Sequence, residues 1–253
     1  MKVTVFTLWT GPLPKWMSPL IENRNKVGHP FHWVIMGDQV PTEDHGRVQM
    51  INLPEKEFYQ KVSDLGLSLG KHHQKKKFAE LRPMYAAMFP EMLQDSDFWG
   101  WSDLDVVFGR VARFWDGAIL STFDFLSLNI WMASGPLTLI RNTPIMNNMW
   151  TNIPDVKNKL AGEKFCSVQC TGFGKAVWDA YADCRIRAIY GPRPSNDREA
   201  TELSYKPKLG ILYDALKVNH RKDEKEFLGR EIIAFHFPKT KTWPFPPQGT
   251  PNG

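Results

Sequence analysis

The stretch FWGWSDLDVVFG at residues 98–109 decides the fold, because it places two acids inside a run that otherwise has the composition of a buried strand. Residues two apart on a β-strand project from the same face, so Asp103 and Asp105 are predicted to point in one direction. Two carboxylates on one buried face repel each other unless protons, basic side chains or a metal ion neutralise them. The stretch therefore predicts a strand that carries a charged site.

The sequence before this stretch alternates apolar strands with helical patterns. Near-continuous apolar strands in that order predict a mainly parallel sheet covered by helices on both faces, which is an α/β fold. Ligands bind beyond the carboxyl ends of such strands, and Asp103 and Asp105 lie towards that end. The predicted strands are 2–9, 32–38 and 48–53, with helices at 55–67 and 83–93, the second interrupted at Pro90.

The second half of the chain predicts smaller elements. Residues 123–129 and 135–142 indicate a hairpin-like strand pair, and helical patterns follow at 144–153 and 173–183. Strands at 211–220 and 230–237 close the fold as a small antiparallel part. We expect a single domain over residues 1–243, followed by a Pro-rich tail at 244–253.

Composition limits the function classes. The chain has 253 residues, a formal net charge of +5 and no apolar run of transmembrane length, which predicts a soluble, cytoplasmic protein. Cys166, Cys170 and Cys184 are predicted to be free thiols. The basic run KHHQKKK at 71–77 favours an anionic partner, either a nucleotide diphosphate or a nucleic-acid backbone, and composition does not separate the two.

The extended context YAAMFPEMLQDSDFWGWSDLDVVFGRVARF at 85–114 resembles the GT-A-fold, Asp-X-Asp glycosyltransferases. It is similar to glycogenin-like and lipopolysaccharide galactosyltransferases, and more so to small bacterial and phage transferases. The resemblance implies a Rossmann-like GT-A fold and transfer of a hexose, glucose first, from a UDP-sugar to an acceptor hydroxyl. It also implies that Asp103 and Asp105 hold Mn²⁺, or Mg²⁺, against the diphosphate, and carboxylate oxygens suit both ions.

A second fragment, FHFPKTKTW at 235–243, is similar to the C-terminal signature of retaining GT-A enzymes. By that resemblance His236 completes the metal shell and a following lysine binds the diphosphate. The glycine of the signature is missing and the spacing is shorter, so Lys239 and Lys241 are both candidates. A retaining enzyme needs no strong base, because the leaving phosphate can take the acceptor proton.

The resemblance also implies further donor-binding residues. Arg82 occupies the place of a basic residue that approaches the donor, and since it precedes a proline we expect an extended turn with a free guanidinium. The alternative is a surface arginine paired with Glu80. Backbone groups of Thr7 and Leu8, with the carboxylate of Asp38, are expected to frame the nucleobase.

Two acceptors and two other functions stay open. Gln169, or Glu163, is the candidate beneath the anomeric carbon. The acceptor is either a surface glycan or the hydroxymethyl group of a modified pyrimidine in DNA, which the basic charge and the many aromatic residues also suit. The alternatives are a sugar-nucleotide pyrophosphorylase or other nucleotidyltransferase, for which no Gly-rich phosphate-binding loop is evident near the N-terminus, and a non-catalytic nucleotide-binding module.

Overall fold

The computed structural model describes residues 1–70, 78–109, 111–129, 132–164, 166–190, 211–214 and 232–236. The strands are β1 (Val3–Trp9), β2 (Phe31–Gly37), β3 (Glu43–His45), β4 (Val48–Asn52), β5 (Phe98–Trp101), β6 (Val106–Phe108), β7 (Phe125–Ser127), β8 (Thr138–Arg141), β9 (Ala188–Tyr190), β10 (Ile211–Asp214) and β11 (Ile232–His236). The α-helices are α1 (Met17–Val27), α2 (Glu55–Asp64), α3 (Tyr85–Met88), α4 (Val111–Phe114), α5 (Gly117–Thr122), α6 (Pro144–Asn147), α7 (Val156–Ala161) and α8 (Gly174–Ala182). Short 3₁₀ helices span Arg82–Met84, Pro90–Leu93 and Met149–Asn152, and a π-helix spans Val168–Phe173.

Eight strands form one mixed sheet in the order β3-β4-β2-β1-β5-β8-β7-β9. The pairs β1–β2, β1–β5, β2–β4 and β7–β9 are parallel, while β3–β4, β5–β8 and β7–β8 are antiparallel. A second, antiparallel sheet has the order β10-β11-β6. The predicted α/β class, the mainly parallel Rossmann-like sheet and the small antiparallel C-terminal part are confirmed.

Hydrophobic cores cover both faces of the large sheet. On β1, Val3 and Val5 pack on one face with α1, while Phe6 packs on the other with α2 and the helices that follow it. This alternation is the period-two pattern of a strand buried on both sides. The sheet is therefore covered on both faces, and a ligand site is left to its edges.

Local sequence explains where the helices near the site begin and end. Helix α2 starts after Pro54, carries acids in its first turn and buries Phe58 and Val62 on one side. Helix α3 ends at Met88, and the chain restarts as a 3₁₀ helix at Pro90, which has no N–H to continue the α-helix. The interruption predicted at Pro90 is confirmed. Within the described residues, no helix combines the length and the apolarity needed to cross a bilayer.

Candidate active site

The carboxyl ends of β1, β2 and β5 meet at one edge of the sheet. From β1 the chain moves outward through β2 to β4, and it then returns to the opposite side of β1 as β5. The strand order reverses between β1 and β5, and α/β proteins bind ligands in the crevice beyond such a reversal. A ligand site is therefore expected among the residues that follow Trp9, Gly37 and Trp101.

Asp103 and Asp105 lie at this edge, but in a turn between two strands. Strand β5 ends at Trp101, and β6 begins at Val106 in the second sheet, so the prediction of one continuous strand with both acids on one face was wrong. The backbone N–H of Asp103 donates to the carbonyl of Gly135 at 3.1 Å. The two acids have different cationic neighbours: Arg82 pairs with Asp103, and the charge of Asp105 acts on Arg24.

Arg24 approaches the acidic turn from the α1 side and is almost completely buried. Its guanidinium donates to the Val106 carbonyl at 2.7 Å and to the Asp103 carbonyl at 3.4 Å, and it stacks on the rings of Trp33 and Phe108. Burial lowers the pKa of Arg24 and the charge of Asp105 opposes that change, but a guanidinium keeps its proton at neutral pH. Arg24 therefore fixes the backbone of the turn.

Arg82 approaches the same turn from the opposite face of the sheet. Its Nη2 donates to Oδ1 of Asp103 in an ion pair, and its Nη1 donates to Oε1 of Gln169 at 3.3 Å. The Arg82 side chain is only 11% exposed and that of Asp103 is 22% exposed. Predicted site residues from three distant parts of the chain therefore converge at this edge.

The expectation of an extended Arg82 with a free guanidinium was wrong. The residue begins the 3₁₀ helix Arg82–Met84 and its charge is paired. The alternative, a surface arginine paired with Glu80, is also wrong, because Arg82 is buried and bonds to Asp103 and Gln169. Contacts made 21 and 87 residues away override the local preference of a residue before proline.

Gln169 lies in the π-helix, a rare form that occurs often at functional sites. Its Nε2 donates to the Ala133 carbonyl at 3.0 Å, and its backbone N–H donates to Oε2 of Glu80 at 2.8 Å. Gln169 is 3% exposed, whereas the other candidate, Glu163, is exposed. The structure therefore brings Gln169 into the same network as Arg82 and Asp103.

Charge and burial shift the pKa values of three groups in this network. Burial lowers the pKa of Arg82, but the charge and the hydrogen bond of Asp103 together with the charges of Tyr85 and Cys170 outweigh it, and the net shift is upward. Burial raises the pKa of Tyr85 to about 12, so its phenol stays protonated. Burial also raises the pKa of Glu80, against hydrogen bonds from the backbone of Gln169 and Val168 and the charge of Arg82.

Two features of the network concern space and unused hydrogen-bonding capacity. A Cβ atom on Gly135 would lie 2.8 Å from Oδ2 of Asp103 and 3.2 Å from Nη1 of Arg82, so a larger residue here would force the side chains of the ion pair to move. The hydroxyl groups of Tyr85 and Ser134 are buried and find no hydrogen-bond partner among the residues that the structure describes. Such groups are uncommon in folded proteins and are concentrated at functional sites.

A cavity of about 180 Å³ opens at the carboxyl ends of β1 and β2, the edge of the sheet at which Asp103 follows β5. Its lining residues come from the ends of three parallel strands, α2 and Phe78, and they include Leu8, Trp9, Gly37, Asp38 and Glu55. A Cβ atom on Gly37 would lie 1.9 Å from the Trp9 carbonyl oxygen, so the close approach of β1 and β2 here requires glycine. The cavity joins apolar walls to a few polar groups, as small-molecule sites do.

The structure separates the three residues predicted to frame a nucleobase. Leu8 and Asp38 line the cavity, and Oδ1 of Asp38 accepts from the backbone N–H of Gly11 at 2.8 Å. Thr7 is buried, and its hydroxyl donates to the Ser102 carbonyl at 3.1 Å. Thr7 therefore connects β1 to the acidic turn, and Leu8 and Asp38 remain the candidates for ligand contact.

The C-terminal candidates are described only in part. The backbone of His236 pairs with Val106, the residue directly after Asp105, so β11 brings this position beside the acidic turn. Lys239 and Lys241 lie outside the described residues, as do the basic run 71–77 and the tail 244–253. Among the side chains that the structure describes, no group of three His, Cys, Asp or Glu residues could hold a metal ion.

All three cysteines are free, as predicted, with Cys166 and Cys170 half-buried and Cys184 exposed.

Several residues of the site were missed by the sequence analysis. For Arg24 a signal was available, because it continues the inward-facing spacing of Met17 and Leu20 on α1, and a cation at a core position indicates a buried partner.

Comparisons with known proteins give a family but little else. The model of a family of unknown function, DUF6625, matches residues 5–202. No curated protein matches the chain. A similar solved structure is that of a glycosyltransferase involved in the glycosylation of the major capsid of PBCV-1, with a TM-score of 0.36 and 11% identity, covering 76% of this chain and 82% of that chain.

Proposed function

The chain belongs to the DUF6625 family of unknown function, and we propose that it is a metal-dependent, retaining glycosyltransferase. The donor is a UDP-sugar, with UDP-glucose first, and the acceptor is a hydroxyl group. One observation carries the proposal: Arg82, Asp103 and Gln169 form one network at the edge where the strand order reverses. The cavity lined by Asp38 opens at the same edge of the sheet, at the carboxyl ends of β1 and β2.

The proposed donor position follows from these two features. The base lies in the cavity between Leu8 and Asp38, and the diphosphate extends towards the acidic turn. Arg82 is a cation held in place by Asp103 and Gln169, so it can approach negative charge on the leaving diphosphate without first being ordered. Lys239 or Lys241 is proposed to add a second cation.

Asp103, Asp105 and His236 are the proposed ligands of Mn²⁺ or Mg²⁺. Their donor set of two carboxylates and an imidazole fits a first-row divalent ion, and the register of β11 with β6 supports their proximity. Arg82 pairs with Oδ1 of Asp103, so a metal ion held there would share this carboxylate with the Arg82 guanidinium. A bound ion would supply electrostatic stabilisation of the leaving diphosphate.

The proposed reaction breaks the bond between the anomeric carbon and the diphosphate oxygen and forms one to the acceptor oxygen on the same face. The acceptor proton passes to the leaving diphosphate, so no protein carboxylate has to remove it. The neutral Gln169 amide near the anomeric carbon suits that route, since it can stabilise partial positive charge without forming a stable ester. Asp103 and Asp105 would assist by holding the metal ion, whose positive charge would offset the charge of the leaving diphosphate.

The first experiment measures slow hydrolysis of sugar nucleotides. The protein is incubated with UDP-, GDP-, CDP- and ADP-sugars and Mn²⁺, and released hexose and nucleoside diphosphate are quantified. We expect hydrolysis of a UDP-hexose that is lost with EDTA and in Asp105→Asn, whereas Asp116→Asn, at the N-cap of α5, is the matched control. Formation of UTP and hexose 1-phosphate when pyrophosphate is added to the UDP-hexose would instead indicate a nucleotidyltransferase, and binding of UDP without turnover would indicate a non-catalytic module.

The acceptor is tested separately. Glucose transfer is measured to DNA that contains 5-hydroxymethylcytosine or 5-hydroxymethyluracil and to a lipopolysaccharide or cell-wall glycan, at low and high salt. Transfer to DNA should fall steeply with salt, because phosphate contacts release condensed counterions, and it should weaken when Lys75, Lys76 and Lys77 become alanine. Transfer to the glycan alone, with little dependence on salt, would assign the surface-glycan acceptor.

A further inference from the structure

A second cavity, of about 390 Å³, lies on the sheet at the opposite end of the strands from the candidate active site. We call it the amino-end groove. Its floor and rim come from the first half of β1 and β2, from β4 and the β3–β4 turn, and from the 3₁₀ helix after α3. Its lining residues are Lys2, Thr4, His32, Trp33, Val34, Asp44, Gly46, Arg47, Gln49, Ile51, Glu91 and Met92.

Along each strand, the side chains that face the groove alternate with side chains that are buried on the other face of the sheet. Thr4 of β1 pairs in register with His32 of β2. Arg47 lies in the turn directly before Val48, the β4 residue that pairs with Trp33. The side chains of Thr4, His32 and Arg47 therefore form one row across the sheet. All belong to the face opposite the one that buries Trp33 and Val48. Cations of different strands are thus aligned on one wall, which a single charged loop would not achieve.

The cations of the groove are unpaired, whereas its acids are engaged. Within the described part of the chain, the side chains of Lys2, His32 and Arg47 make no hydrogen bond or ion pair. By contrast, Asp44 accepts from the backbone N–H of Gly46 at 2.9 Å, and Glu91 pairs with Nζ of Lys61 at 3.2 Å. Because Lys61 balances Glu91, the permanent cations Lys2 and Arg47 outnumber the one unbalanced carboxylate, Asp44, and the groove keeps an excess of positive charge.

The field of these cations affects His32. Burial lowers its pKa, and the charges of Arg47, Lys2 and His29 lower it further. Neighbouring cations make protonation of the His32 imidazole less favourable, and an anion bound among them makes it more favourable. The groove can thus match a dianion with two permanent charges and one adjustable charge.

From this geometry we propose that the amino-end groove binds the phosphate monoester of a small molecule such as a sugar. The Arg47 guanidinium suits two phosphate oxygens and Lys2 supplies a point charge. Val34, Ile51 and Met92 offer an apolar floor for the carbon face of the ester. The exposed carboxylate of Asp44 keeps its charge and opposes a long polyanion, so a compact ligand fits better than a nucleic acid.

The probe is glucose 6-phosphate, measured by isothermal titration calorimetry with the full chain. We expect one binding site, weaker binding of inorganic phosphate and none of glucose. Arg47→Gln and His32→Gln should each weaken binding by about tenfold, since each removes a charge-assisted hydrogen bond. Arg185→Gln, which removes an arginine charge on an exposed surface, is the matched control and should bind like the wild type.

The outcomes separate this groove from the candidate active site. Binding that survives Arg82→Lys and saturating UDP, but falls in the groove variants, supports the proposal. Loss of binding in Arg82→Lys with normal binding in Arg47→Gln would overturn it. So would absence of binding, equal affinity for inorganic phosphate, or binding of a single-stranded oligonucleotide in place of the monoester. Thermal unfolding of each variant confirms that its fold is intact.

Discussion

Arg24 and Arg82 are two buried arginines that hold one acidic turn from opposite faces of the sheet, and they hold different parts of it. Arg24 donates to backbone carbonyls and stacks on two aromatic rings. Arg82 donates to the side chains of Asp103 and Gln169. A cation bound to backbone and rings serves the shape of the turn, whereas a cation bound to functional side chains can serve its chemistry.

The comparison predicts that Arg24 contributes mainly to stability. In Arg24→Lys the charge remains, but the planar fork that reaches the carbonyls of Val106 and Asp103 is lost, as is the stacking. We expect the free energy of unfolding to fall by about 3 kcal/mol, since hydrogen bonds from charged groups contribute roughly 1.5 to 3 kcal/mol each. Urea denaturation measures the change.

The matched control for that variant is Arg185→Lys, where the arginine is exposed and pairs only with Asp183. Its effect should stay within about 0.5 kcal/mol. The specific hydrolysis rate of folded Arg24→Lys should be near that of the wild type. A large loss of rate with unchanged stability would show that Arg24 acts on the reaction, and the division between the two arginines would fail.

Arg82→Lys tests the other side of the comparison. The charge beside Asp103 is kept, but the guanidinium no longer bridges Asp103 and Gln169. We expect UDP-sugar turnover to fall by about 100-fold, the size of effect seen when one oriented donor to a developing charge is removed. Stability should change less than in Arg24→Lys. Hydrolysis and transfer rates near those of the wild type would exclude Arg82 from the chemistry.

Glu80 sharpens the comparison through pH, because it holds the π-helix that presents Gln169 to Arg82. Its pKa is raised in the folded protein, so between the usual glutamate pKa and the raised one the folded state binds more protons than the unfolded state. Stability from this group must therefore fall as pH rises through that window. Glu80→Gln should lack this part of the pH dependence.

Urea denaturation from pH 4 upward compares the Glu80→Gln variant with the wild type. The stability of the variant relative to the wild type should increase with pH across the window and then level off. Glu91→Gln, a change of the same kind at an exposed glutamate, is the control. Parallel curves for Glu80→Gln and the wild type would mean that Glu80 is not held in a costly charged form.

Much of the fold was predictable because its strands carry local signals. The apolar runs predicted β1, β2, β4 and the hairpin-like pair β7 and β8, and they placed the acids at the correct edge. Strand β3 was missed because its sequence, EDH, is polar, and its formation depends on pairing with β4. Antiparallel pairing, unlike an apolar run, leaves no pattern within three residues.

The site was predictable as a set of residues but not as a geometry. Arg82, Asp103 and Gln169 were candidates, yet the ion pair and the burial of Arg82 depend on contacts between distant parts of the chain. The turn between β5 and β6 was hidden because both strands are apolar and read as one. The space that Gly135 leaves for the ion pair is likewise a tertiary requirement.

Tyr85→Phe is expected to have the smallest effect and tests the Arg82 side most finely. The Tyr85 hydroxyl is buried close enough to Arg82 for the guanidinium to act on its pKa, but among the described residues it has no partner with the distance and angle of a full hydrogen bond, so its removal relieves the cost of an unsatisfied polar group. We expect the free energy of unfolding to rise by up to about 1 kcal/mol. Phe89, which contacts the Tyr85 ring, provides the packing control as Phe89→Leu, which should destabilise. If Tyr85→Phe instead destabilises the protein, the hydroxyl is bonded in solution and Arg82 has a third partner. If stability rises while turnover falls, the Tyr85 hydroxyl contacts the substrate. The Arg82 side of the turn then differs from the Arg24 side, because it contains a group that lowers stability but serves the reaction.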